Sequence, residues 1–121
     1  MVFIDFIHKY IDTLASDISR LQITMNRLHS SMNLPNAGAD GVDYEAEYRA
    51  ALMKYYDADV DIKKLLHYRD LFYKKEKLTF DMSQAKTEQE LAPILNEWST
   101  TGTELIFAGT AADEVMRNYK F

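Results

Sequence analysis

The sequence DYEAEYRAALMKYYDADVDIKKLLHYRDLFYKKEKL, residues 43–78, decides the fold. It contains no glycine or proline over 36 residues, and its apolar residues recur at alternating steps of four and three, as on one face of an α-helix. This main stripe consists of Tyr44, Tyr48, Ala51, Tyr55, Ala58, Ile62, Leu65, Arg69 and Phe72, and Leu52, Leu66 and Tyr73 widen it. The stretch predicts one helix about 54 Å long.

A second apolar stripe lies on the opposite side of the same helix. It consists of Met53, Tyr56, Val60, His67, Leu71 and Leu78. Because a helix that is apolar on two sides is normally packed between neighbours, the pattern predicts that this helix is the central one.

A second long helix is predicted over residues 3–33. Its stripe keeps the three–four spacing through Ile4, Ile7, Ile11, Leu14, Ile18, Leu21, Met25, Leu28 and Met32. Ile and Leu alternate as in a parallel coiled coil, but the flanking positions lack the Glu/Lys ladder that would specify one, so a bundle helix is favoured. Phe3, Phe6 and Tyr10 broaden its apolar face near the start and are candidates for self-association.

The connections predict antiparallel packing. Residues 33–42 contain Pro35 and the turn pair Asp40-Gly41, which end one helix and reverse the chain. Residues 79–86 carry weak helix signals and predict a second connection. A capping box, Thr87 to Glu90, then opens a third helix over residues 88–120.

The third helix is predicted to be either continuous or broken once at Gly102 or Gly109. Its heptad positions are 94, 98, 101, 105, 108, 112, 115 and 119. The fold class predicted is therefore all-α, an antiparallel bundle of three long helices with the third continuous or split, forming a single domain over residues 1–121.

Composition excludes several function classes. A net charge of −5 argues against nucleic-acid binding, which depends on neutralising phosphates. The absence of cysteine removes disulfides, thiolate metal sites and thiol nucleophiles, and fits a cytoplasmic protein. No signal peptide and no membrane span are predicted, because charged residues interrupt the apolar start of the chain.

The sequence offers little catalytic chemistry. Asp57, Asp59 and Asp61 resemble the start of a calcium loop, but Ile62 and Tyr68 replace the glycine and the glutamate that such a loop requires. Neither HxxxH nor the Glu-x-x-His of di-iron bundles is present. We therefore predict no catalytic residue, metal or cofactor, and an enzyme using scattered carboxylates is the weakest hypothesis.

Two features of the central and third helices suggest binding. The basic, aromatic end of the central helix groups Tyr68, Arg69, Tyr73, Lys74 and Lys75, which could hold a phosphate-bearing ligand through charge and stacking. Arg69 falls within the main apolar stripe, where a charge needs either an acid from another helix or an open site.

Gly102 and Gly109 are seven residues apart and so lie near one helical face. Small residues there would allow another backbone to approach, either in self-association or in a tight internal crossing. The leading hypothesis is a non-enzymatic interaction protein, such as a structural subunit, an adaptor or a small inhibitor, that forms a homo-oligomer. The alternative is a small-ligand binder using the basic end of the central helix.

Overall fold

Three α-helices form all the regular secondary structure that the computed structural model describes, namely the backbone of residues 2–119 and the side chains of residues 4–119. They are α1 (Val2–Met32), α2 (Tyr44–Gln84) and α3 (Glu88–Asn118). The prediction of an all-α bundle of three long helices is confirmed. The residues pack as two compact units, one of Lys9–Ile62 and one that joins the chain up to His8 with the chain from Lys63 onward. The single-domain organisation stays a prediction.

The Lys9–Ile62 unit is a helical hairpin of α1 and α2. Its buried apolar residues are Ile11, Leu14, Leu28, Ala51 and Ala58. Gln22 Nε2 lies 3.5 Å from the Tyr55 hydroxyl, and the rings of His29 and Tyr48 are 6.2 Å apart. Since the partners advance along α1 while they recede along α2, the two helices are antiparallel, as predicted.

The loop of the hairpin follows the predicted turn chemistry. Gly38 and Gly41 have φ of +85° and +79°, values that glycine adopts without a Cβ clash. The Tyr44 hydroxyl donates a hydrogen bond to the Asp40 carboxylate, which lowers the pKa of Asp40. Asp43 Oδ1 accepts from the Ala46 N–H at 3.1 Å, so Asp43 caps α2 as expected from its residue type.

The other unit contains the start of α1, the second half of α2 and all of α3. Its buried residues are Ile4, Ile7, Leu65, Tyr68, Leu71, Phe72, Leu78, Thr101, Ala108, Ala112 and Val115. The α3 heptad positions predicted for the core are all buried or partly buried. Here α2 carries buried residues from both of its stripes, whereas Met53, Tyr56 and Val60 in the hairpin unit are more than half exposed. The predicted sandwiching of α2 therefore holds for its second half only.

The predicted connection over residues 79–86 is wrong for most of its length, because α2 continues to Gln84. The helical spacing of partly buried side chains continues through Leu78, Asp81, Met82 and Ala85. The Trp98 indole N–H also donates to Thr79 Oγ1 at 3.0 Å. Packing against α3 thus stabilises a segment whose intrinsic helix propensity is weak.

α3 begins at the predicted cap and continues without a break. The Glu90 N–H donates to Thr87 Oγ1 at 3.1 Å, and the Glu90 carboxylate accepts from the Lys86 N–H at 2.9 Å. This differs by one residue from the reciprocal bond to Thr87 that a capping box implies. Gly102 and Gly109 lie inside the helix, so the split alternative is not realised.

A side chain of α2 packs against each of the two glycines of α3. A Cβ added at Gly109 would lie 3.2 Å from Cε2 of Tyr68, and one at Gly102 would lie 3.0 Å from Nζ of Lys75. Tyr68 and Lys75 are seven residues apart, as are the two glycines, and the order is reversed. These contacts continue at Trp98 and Thr79, and together they form the glycine seam of the α2–α3 pair.

We expect the two glycines to respond differently to alanine. Gly102→Ala should raise the free energy of unfolding by up to about 1 kcal/mol, because alanine favours the helix and the flexible end of Lys75 can move aside. Gly109→Ala should raise the free energy of unfolding by less than Gly102→Ala does, or lower it, because its methyl group would contact the buried ring of Tyr68. Urea unfolding of both variants measures the difference. Equal gains would contradict tight packing at Gly109.

Candidate interaction face

The predicted ligand-binding residues lie in one unit, but each already contacts another residue there. Tyr68 is 8% exposed and its ring stacks on Phe72 with centroids 6.5 Å apart. Burial raises the pKa of the Tyr68 phenol above its usual 10.0, so the group stays neutral at ordinary pH. The Tyr73 hydroxyl shares a hydrogen bond of 2.7 Å with His8 Nε2. A ligand would therefore have to reach a buried ring at Tyr68 and displace the hydrogen bond to His8 at Tyr73.

The two lysines bind residues of α3. Lys74 Nζ is 3.2 Å from the Glu97 carboxylate. Lys75 Nζ lies 4.4 Å from the centre of the Trp98 ring, within cation–π range. An anion would have to compete with both contacts, and ligand binding at this end of α2 stays a prediction.

The first of the two alternatives for Arg69, an acid from another helix, is not what the structure shows. Arg69 Nη2 is 3.3 Å from Oδ1 of Asp70, the next residue on the same helix, rather than from an acid of another helix. The Arg69 side chain is 32% exposed and that of Asp70 is 69% exposed. Water reaches both groups, so this is a surface pair and not a buried one.

The residues predicted for self-association differ in their exposure to solvent. The side chain of Phe3 lies outside the described part of the structure. Phe6 is 51% exposed and Tyr10 is partly buried. Gly102 and Gly109 are covered by Lys75 and Tyr68, which matches the tight internal crossing that was the alternative explanation for them.

A surface that the sequence analysis missed lies on α3. Ile106 and Phe107 are 71% and 73% exposed, more than any other large apolar side chain among the described residues. They belong to a row of exposed residues on the side of α3 opposite its buried positions. We call this the outer row: Ala92, Asn96, Ser99, Thr103, Ile106, Phe107 and Thr110.

The outer row contains no charged residue over about five helical turns. A solvent-facing helix side normally carries charged residues opposite its apolar face. The α2 residues exposed in the same unit do so, as Lys64, Asp70, Lys74, Glu76 and Lys77 show. The outer row of α3 is therefore unusual for a surface in contact with water alone.

Threonine hydroxyls in and beside the outer row bond to the helix backbone. Thr103 Oγ1 donates to the Ser99 carbonyl at 3.3 Å, and Thr110 Oγ1 donates to the Ile106 carbonyl at 3.2 Å. Thr100, beside the row, does the same to Asn96. Because each hydroxyl is satisfied within the helix, the threonine methyl groups add apolar area next to Ile106 and Phe107.

A signal for this face was present in the sequence. Residues 105–112 read LIFAGTAA, eight residues without a charge, whereas a helix with one apolar stripe would place charges among them. The heptad spacing predicts that residues 105, 108 and 112 are buried, and it makes no prediction for Ile106 and Phe107.

No protein-family model, curated protein or solved structure matches this chain. Within residues 4–119, no cluster of three or more His, Asp or Glu side chains is arranged to hold a metal ion. None of the three described helices combines the length and apolar character needed to cross a membrane.

The surface position of Arg69 gives a testable difference. We expect Arg69→Met to change the free energy of unfolding by less than about 1 kcal/mol, because exposed ion pairs contribute little. Leu65→Ala, four residues away on the same stripe and fully buried, should lose about 2–5 kcal/mol. Thermal and urea unfolding compare the two. A loss from Arg69→Met as large as that from Leu65→Ala would contradict the surface assignment.

Proposed function

We propose that this chain is a non-enzymatic interaction protein that binds a protein partner through the outer row of α3. The observation that carries the proposal is the pair Ile106 and Phe107, both more than 70% exposed on an uncharged helix side. Large exposed apolar patches on water-soluble surfaces mark contact sites.

The chemistry of the outer row fits a protein surface as its ligand. Burying a Phe or Ile side chain contributes about 1.5–3 kcal/mol each, and a few such anchors commonly dominate an interface. The small side chains of Thr103 and Thr110 lie one turn before and one turn after these anchors, with Ser99 one turn beyond Thr103, and would let a partner helix approach closely. No hydroxyl of Thr103 or Thr110 would lose its hydrogen bond, because both bond to their own backbone.

This proposal covers a structural subunit, an adaptor or a small inhibitor, since all three act by presenting a bundle face. A cytoplasmic location remains a prediction from the lack of cysteine. The ligand-binding alternative also remains a prediction, and it would require Lys74 and Lys75 to exchange Glu97 and Trp98 for an anion.

Photo-crosslinking tests the proposed face. Benzoylphenylalanine in place of Phe107 should form a protein adduct in cells that carry the chain, because the probe would lie within the interface. The matched control is the same substitution at Phe80, which is 63% exposed on α2 of the same unit, and it should give little adduct. Mass spectrometry identifies the adduct. Absence of any adduct from position 107, or equal adducts from both positions, would contradict the proposal.

A further inference from the structure

We infer that the partner at the outer row of α3 is a second copy of this chain, packed antiparallel about a twofold axis between Ile106 and Phe107. The inference rests on the proposed function and identifies its partner. It also moves self-association away from Gly102 and Gly109, whose surfaces are already covered within the chain.

The residues of the outer row match one another about that axis. In an antiparallel helix pair, residues equally distant from the axis face each other, and a twofold interface uses the same patch on both copies. Ile106 would face Phe107 of the second copy, and Thr103 would face Thr110. Large apolar residues thus meet at the centre, with threonine methyl groups on both sides of them.

Charge favours this face and this direction for the contact between two copies. Each copy carries a net charge of −5, so two copies repel least where they meet at an uncharged surface. In the antiparallel arrangement, Glu114 would face Ser99 and Arg117 would face Asn96. In a parallel arrangement, Glu114 would face Glu114 and Arg117 would face Arg117. The antiparallel pair therefore avoids opposing like charges at its ends.

A row of exposed apolar residues on α2 is less suited to self-pairing. Met53, Tyr56 and Val60 are also exposed along one side of α2. Within the same two turns, however, Asp57, Asp59 and Asp61 supply three acids against the single Lys54. Two copies meeting there would bring net negative charge together, so we assign the twofold contact to α3.

The absence of cysteine allows a direct test of the pairing. Thr103→Cys in one tagged copy and Thr110→Cys in a differently tagged copy should form a mixed disulfide under mild oxidation, because facing positions come within bonding distance. Each variant oxidised alone should form much less disulfide-linked dimer. Thr103→Cys mixed with Ser83→Cys, an exposed position on α2, is the matched control. Disulfides of Thr103→Cys with itself as abundant as the mixed product would overturn the antiparallel arrangement.

Solution mass gives an independent measurement. Light scattering should show twice the 14.0 kDa monomer mass at micromolar concentration. Phe107→Glu should weaken the dimer by about tenfold or more, because the contact would bury an unpaired charge. Its helical circular dichroism should be unchanged, since residue 107 is exposed in the monomer.

The outcomes separate this inference from the proposed function. A monomer mass for the unchanged chain at all concentrations, together with no mixed disulfide, overturns the second copy as partner. A Phe107 photo-adduct with a different protein would then still support the interaction face. A dimer that Phe107→Glu leaves intact overturns the assignment of that dimer to the outer row.

Discussion

The close contact between α2 and α3 at Gly109 and Gly102 is the constraint on which the second unit depends. Tyr68 and Lys75 occupy the space that a Cβ would otherwise fill, and the bond from Trp98 to Thr79 continues the same antiparallel register. Because protein interiors are densely packed, this register fixes which side of α3 is buried. It consequently fixes the outer row on the opposite side.

The seam also explains why the basic end of α2 is a structural feature. Lys74 and Lys75 contact Glu97 and Trp98 of α3, so their charges stabilise the packing of one helix on another. The Lys74–Glu97 pair is about half exposed, so it forms at the edge of the α2–α3 contact and not in its interior.

Periodicity predicted the three helices and the buried row of α3 because side-chain burial follows helical spacing directly. The end of α2 was not predictable in the same way, since residues 79–84 have weak helix propensity and the Thr79 contact of this segment is with Trp98, which is distant in sequence. Arg69 was expected to meet an acid of another helix or to lie at an open site, and its long side chain reaches the surface beside Asp70. Ile106 and Phe107 were missed because a heptad pattern accounts for buried positions and does not question the exposed ones.

Trp98 is an intrinsic fluorophore located at the α2–α3 contact. It is the only tryptophan in the chain, and its ring lies beneath the Lys75 ammonium group while its N–H is bonded to Thr79. Indole emission depends on nearby charge and on hydration, so the tryptophan emission of the protein, excited selectively over its eight tyrosines, reports on the α2–α3 seam. Separation of α3 from α2 would therefore be visible in real time without a label, even while both helices keep their backbone hydrogen bonds.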